Sequence, residues 1–290
     1  MATRREKKID IPWSYTVDVK AEIYNSAKEL VCDNKHRPVR ISDYDVIARG
    51  IRSEFHGVRS YDEAYDLLAT GYQPVVGKLK EELKVQGNES PRFAFVNDIQ
   101  GFLPVIPLAL KGVPNCMIDT RIKPMKAKVI DVYYDMSANY DKDTEDFVNA
   151  GKLLLSAILG LEKQGYKINL YAIQSYWDCN NYAHHSIDIL CVKVKSSNSP
   201  LDIKRMSFPL AHPAFFRVVG FDWQSKSPIT RDIGCGRGRG IRHDFTQENC
   251  EKIVKTIFGT NAFYIACSKI IDQRYDIQTL KEALTNDKVA

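Results

Sequence analysis

No stretch of this sequence approaches the roughly 18 consecutive apolar residues that a membrane-spanning helix needs. The longest apolar candidate, Phe102 to Leu110, is short and holds two prolines. The opening residues, MATRREKKIDIPW, are charged and lack the apolar segment of a secretion signal. The seven cysteines, at positions 32, 116, 179, 191, 235, 250 and 267, are odd in number and form no C-x-x-C pair. That argues against a zinc ribbon or a disulfide scaffold and for free thiols in a reducing compartment. No repeat or low-complexity tract is present. The net charge of +5 is too mild to imply nucleic acid by itself. What remains is a soluble, unsecreted globular protein, 290 residues long and 44% hydrophobic, enough for one large domain or two small ones.

Residues 1–50 are polar and irregular, with a helix expected around Ala21 to Val31. Ser60-Tyr-Asp-Glu63 has capping-box spacing and opens a helix that Gly71 closes. A second helix is expected from Val75 to Val85. Residues 93–120 mix prolines and glycines with apolar side chains, which predicts short elements and a tightly packed loop. The basic, proline-bearing stretch Ile122 to Lys126 suits a domain junction. From Lys128, KVIDVYYDM reads as a strand. Thr144 to Gln164 reads as a long helix with a face of Phe147, Leu153, Leu154, Ala157, Ile158 and Leu161. INLYAIQSY and SIDILCVKVK follow as strands. Strand, helix, strand in this spacing is a βαβ unit and predicts an α/β fold. AHPAFFRVVGFDW is expected to form a short helix and then a strand, Gln247 to Phe258 a helix, FYIAC a late strand or helix, and Asp276 to Thr285 a terminal helix. The expected division is an N-terminal arm or cap over 1–55, a helical and irregular region over 56–126, and the α/β domain over 127–290.

Two constellations carry chemistry. Asp135, Ser137 and Asn139 follow the first strand of the βαβ unit, where ligands gather in open parallel sheets. A carboxylate and two neutral oxygens at alternating positions can converge on a hard cation, magnesium or manganese. The alternative is an N-capping turn, with Asn139, Asp141 or Asp143 bonding the free N–H groups of the following helix. The second is GCGRGRGIRH, in which Arg237, Arg239, Arg242 and His243 on a glycine-rich backbone can hold phosphates, nucleic acid or another anion. It is neither a P-loop nor a dinucleotide fingerprint, and the alternative is a solvated loop. His212, among a proline and aromatics, reads as a buried, hydrogen-bonded histidine.

YYDMSAN, the long helix and INLYAIQSY together resemble the start of a von Willebrand A-like domain. That family's metal-dependent adhesion site uses D-x-S-x-S on this loop; here Asp135 and Ser137 match, and Asn139 stands in place of the second serine. The resemblance implies a three-layer, Rossmann-like mixed or parallel sheet flanked by helices, and partner binding through a cation. The chain also resembles a family encoded largely by tailed bacteriophages and their prophages, over roughly residues 55–225. The matching positions are Gly101, Pro104, Val105, Gly112, Pro114, Cys116 and Met117, then Leu201, Asp202, Phe208, Ala211, His212 and Pro213. That resemblance implies phage origin, the cytoplasm of a bacterial host and no particular activity. The expected function is a protein- or ligand-binding module; nucleic-acid binding through the Gly-Arg loop and a structural virion role are alternatives. A metal-dependent hydrolase is the reading least supported, because one acid at a strand end has no paired partner.

Overall fold

The computed structural model describes residues 2–11, 15–38, 51–77, 93–122, 128–178, 185–230, 240–241, 245–273 and 275–285. Its centre is a six-stranded mixed sheet in the order β1-β2-β8-β7-β6-β9. These strands are β1 (Thr3–Ile11), β2 (Tyr15–Tyr24), β6 (Val129–Asp135), β7 (Lys167–Asp178), β8 (His185–Lys195) and β9 (Ala262–Ala266). β3 (Phe93–Asp98), β4 (Leu103–Pro104) and β5 (Met117–Ile122) form a separate three-stranded sheet, ordered β3-β5-β4.

β6 is central because its residues suit burial on both sides. Ile130, Val132 and Tyr134 enter one core, and Tyr133 enters the other. Such β-branched and aromatic runs are what a parallel strand covered on two faces requires. β6 runs parallel to both neighbours, β7 and β9. β7 turns back antiparallel into β8, and β8 pairs in parallel with β2. The sheet therefore draws on both the 1–55 and the 127–290 segments.

One face carries most of the helices: α1 (Ala27–His36), α2 (Ser53–His56), α3 (Tyr61–Thr70), α5 (Thr144–Lys163), α6 (Ile203–Ala211), α7 (Phe221–Lys226), α9 (Cys267–Gln273) and α10 (Ile277–Thr285). The other face is covered by α8 (Gln247–Phe258), whose Cys250, Ile253, Val254 and Ile257 pack on it. The remaining helix, α4 (Ile106–Leu110), belongs to the small sheet. The result is a three-layer α/β arrangement. α5 buries the expected Phe147, Leu154, Ala157, Ile158 and Leu161, while Leu153 is only partly buried. Asp143 caps it, with Asp146 completing the reciprocal pair.

Two expectations are corrected, and a third is met as far as the described residues reach. The N-terminal region is mostly strand rather than irregular, and its helix begins after β2, where Ser26 caps α1 by accepting the Glu29 N–H. AHPAFFRVVGFDW holds no strand: a π-helical turn, Phe215–Gly220, runs directly into α7. Residues 73–77 are helical, and the rest of the helix expected to reach Val85 lies outside the described residues.

At the far edge, β1 exposes Thr3 to Lys8 and buries only Ile9 and Ile11. A row of charges on an edge strand blocks further strand addition. β2 is tied to the helical layer through Glu22, whose side chain is fully buried. Its carboxylate accepts from Arg4 Nε at 2.8 Å, Arg37 Nη1 at 2.8 Å, Trp223 Nε1 at 2.8 Å and the Ser227 hydroxyl at 2.9 Å. Burial pushes the carboxyl up, but the donors from Arg37, Trp223 and Ser227 outweigh it and hold its pKa below the ordinary value. Removing Glu22 strands the Trp223 and Ser227 donors in a dry interior, while Arg4 reaches solvent. Glu22→Ala is expected to cost about 3–5 kcal/mol in urea unfolding; a loss under about 1 kcal/mol in that measurement shows that the knot contributes little.

Candidate functional site

The chain returns to opposite sides of β6, with β7 on one flank and β9 on the other, both parallel to it. This is a topological switch point, and Asp135 stands at its mouth. The Asp135 side chain is inside, at 0% exposure. Its Oδ1 accepts the Ser137 backbone N–H at 2.9 Å. Its Oδ2 accepts the Ser175 hydroxyl from β7 and the Tyr264 hydroxyl from β9, the latter at 2.9 Å. One carboxylate thus bridges three adjacent strands. Burial raises its pKa, and the donors from Ser175, Ser137 and Tyr264 work against that rise.

Ser137 is equally occupied. Its hydroxyl donates to the Ser175 carbonyl and accepts the Ser175 N–H, both at 3.3 Å. Above it lies Gly240, where an added Cβ would stand 2.4 Å from the Ser137 Cβ. The following Ile241 N–H donates to the Ser175 hydroxyl at 3.1 Å. The structure therefore brings the Asp-x-Ser loop and one end of the Gly-Arg segment together at the same strand ends. Arg237, Arg239, Arg242 and His243 lie outside the described residues.

Asn139 leaves this cluster. Its side chain is exposed, while its backbone carbonyl accepts from Arg217 Nη2 at 3.0 Å. The same guanidinium donates to the carbonyls of Lys142 at 2.8 Å and Phe55 at 2.7 Å. Arg217 is 1% exposed and lies over the rings of Phe55 and Phe147, at 4.1 and 5.1 Å from their centroids. Burial lowers its pKa to about 10, with Asp141, Asp143 and Asp146 among the charges opposing that. It stays cationic at neutral pH.

Asp135, Ser137 and Asn139 do not converge on a common point that would suit a divalent cation. Both oxygens of Asp135 are taken by protein donors, Ser137 is sealed by Gly240, Asn139 points elsewhere, and a buried cation already grips the loop. Among the described residues no group of three or more His, Cys, Asp or Glu is placed to hold a metal. Asp135 acts as an internal strut.

His212 is buried, and its Nδ1 accepts the Ala214 N–H at 3.1 Å. Burial lowers its pKa to about 4, so it is neutral near pH 7. It packs edge-on against Tyr72 and sits under Gly57, where φ is positive and an added Cβ would stand 2.9 Å from the ring, leaving no room for a side chain.

The feature that sequence reasoning placed wrongly is the 93–122 segment. It was expected to be tightly packed, yet no residue from 97 to 119 is buried. The small sheet and α4 form an arm, and none of its residues 97–119 enters either core. It exposes Leu110 at 83%, Ile99 at 67%, Ile106 at 64%, Phe102 at 61%, Leu103 at 52% and Val113 at 37%. Single exposed apolar residues are ordinary, but six within 15 residues are the kind of concentration that marks a binding surface.

The fold and these two features define an α/β protein with a braced sheet mouth and a projecting apolar arm. The sequence pattern of the DUF7192 family, described as a domain of unknown function, matches residues 8–285, and the chain belongs to that family. No curated protein and no solved structure matches it. No helix among the described residues is long and apolar enough to cross a membrane.

Asp135→Ala leaves two hydroxyls and an N–H without their acceptor, and is expected to cost about 3 kcal/mol in chemical denaturation. Magnesium and manganese at millimolar concentration are expected to leave the melting temperature unchanged. A rise with either ion that Asp135→Ala abolishes would show a cation site after all.

Proposed function

We propose that this chain is a partner-binding module, in which a von Willebrand A-like α/β core is the rigid scaffold and the 93–122 arm is the contact. One observation carries the reading: six large apolar side chains stand exposed within 15 consecutive residues, 99–113, in a span where no residue from 97 to 119 is buried. Support for the A-like core comes from the βαβ unit, the antiparallel return of β8 and the Asp-x-Ser turn at the end of β6. The resemblance to tailed-phage proteins supports work inside an infected bacterial cell, where a virion component is one form such a module takes. No cation is part of this reading. Replacing exposed apolar groups changes stability by only a few tenths of a kcal/mol. The double variant Phe102→Ser/Leu110→Ser is therefore expected to melt within about 1–2 °C of the parent. It is also expected to lose cross-linked adducts in phage-infected extract. A large fall in melting temperature would show that these side chains pack inside the fold, and would end the proposal.

A second reading rests on Gly240. Its close seat on Ser137 anchors the Gly-Arg segment at the switch point, where anions bind in open sheets. Arg237, Arg239, Arg242 and His243 then serve phosphate or nucleic-acid contact. Binding should weaken steeply with salt, and Arg237→Ala/Arg239→Ala should reduce the slope by about 2 in a log–log plot. A salt slope unchanged in filter binding overturns this reading.

A further inference from the structure

We infer that the arm's partner is a second copy of this chain, so that two molecules join arm to arm across a two-fold axis; this rests on the arm being the contact. The first argument is one of matching surface. Among the described residues eight large apolar side chains are exposed, and six belong to the arm; the other two, Val129 and Tyr140, lie elsewhere in the sequence. An apolar face is best covered by another apolar face, and among the described residues the one this chain offers is the same arm on another molecule.

The second argument is area. The six side chains expose on the order of 100 Å² each. A standard interface buries about 800 Å² per partner, a little over half of it apolar. The exposed apolar area of the six side chains is of the same order as the apolar part of such an interface.

The third is charge. Across residues 97–119 the charged side chains are Asp98, Lys111 and Asp119, in a chain that is 27% charged. A two-fold contact through this span brings few charges together, and nothing there favours a polyanion.

The test uses the full chain in sedimentation velocity, from nanomolar to high micromolar loading, alongside Phe102→Ser/Leu110→Ser and a control, Tyr140→Ser. The parent and the control are expected to sediment at twice the 33.0 kDa chain mass. The arm variant is expected to dissociate at least about tenfold more readily, with unchanged near-ultraviolet circular dichroism. A parent that stays monomeric throughout, or an arm variant that dimerises as tightly as the parent, overturns the inference. A photo-reactive benzoylphenylalanine in place of Phe102 separates this failure from that of the broader reading. Its adduct at double mass supports self-pairing. An adduct with a different polypeptide in infected extract overturns self-pairing and leaves the arm as the contact. No adduct overturns both.

Discussion

One buried guanidinium holds the helical layer to the mouth of the sheet. Arg217 reaches from the π-helical turn to three backbone carbonyls: that of Phe55 and, from a single loop far away in sequence, those of Asn139 and Lys142. Burying an arginine is costly unless its donors are used. Here four of the five N–H groups are on the two terminal nitrogens that reach those carbonyls, while Nε has no partner. The wider turn of a π-helix places a side chain where regular α-helical spacing would not. The Asp-x-Ser loop thereby becomes rigid from outside through Asn139 and from inside through Asp135. The same bracing that makes the mouth stiff removes the free oxygen ligands a cation would need.

How far the fold could be read from the residues depended on whether a stretch carried a period. Thr144 to Lys163 did, and the helix and its buried face follow the expectation closely. β6 did, because β-branched and aromatic residues cluster where both faces are covered. The 203–226 stretch did not. Every residue from 206 to 225 is buried, so its apolar residues fall on all sides and mimic a strand. The N-terminal hairpin was hidden for the opposite reason. β1 is an edge strand with charges on both faces, and β2 shows its alternation of Val17, Val19 and Ala21 only against a sheet that arrives from residues 185–195.

At the site, Asp135 and Ser137 were visible in the sequence as a loop at a strand end, but their partners were not. Ser175 and Tyr264 come from strands 38 and more residues away, and no local spacing announces them. Arg217 did leave a signal, as a lone charge within FFRVVG, which in a buried helix demands carbonyl partners. The apolar arm was read as interior because composition alone does not separate a residue facing the core from one facing a partner.

The pairing of β2 with β8 has a consequence for biosynthesis. Residues 15–24 leave the ribosome long before residues 185–195, the strand they must lie against. Until then the N-terminal hairpin has only its own two strands, too little to be stable alone. The lysines and arginines of β1 keep that waiting hairpin dissolved, so the charged rim that ends the mature sheet also guards the nascent chain against sticking to its neighbours.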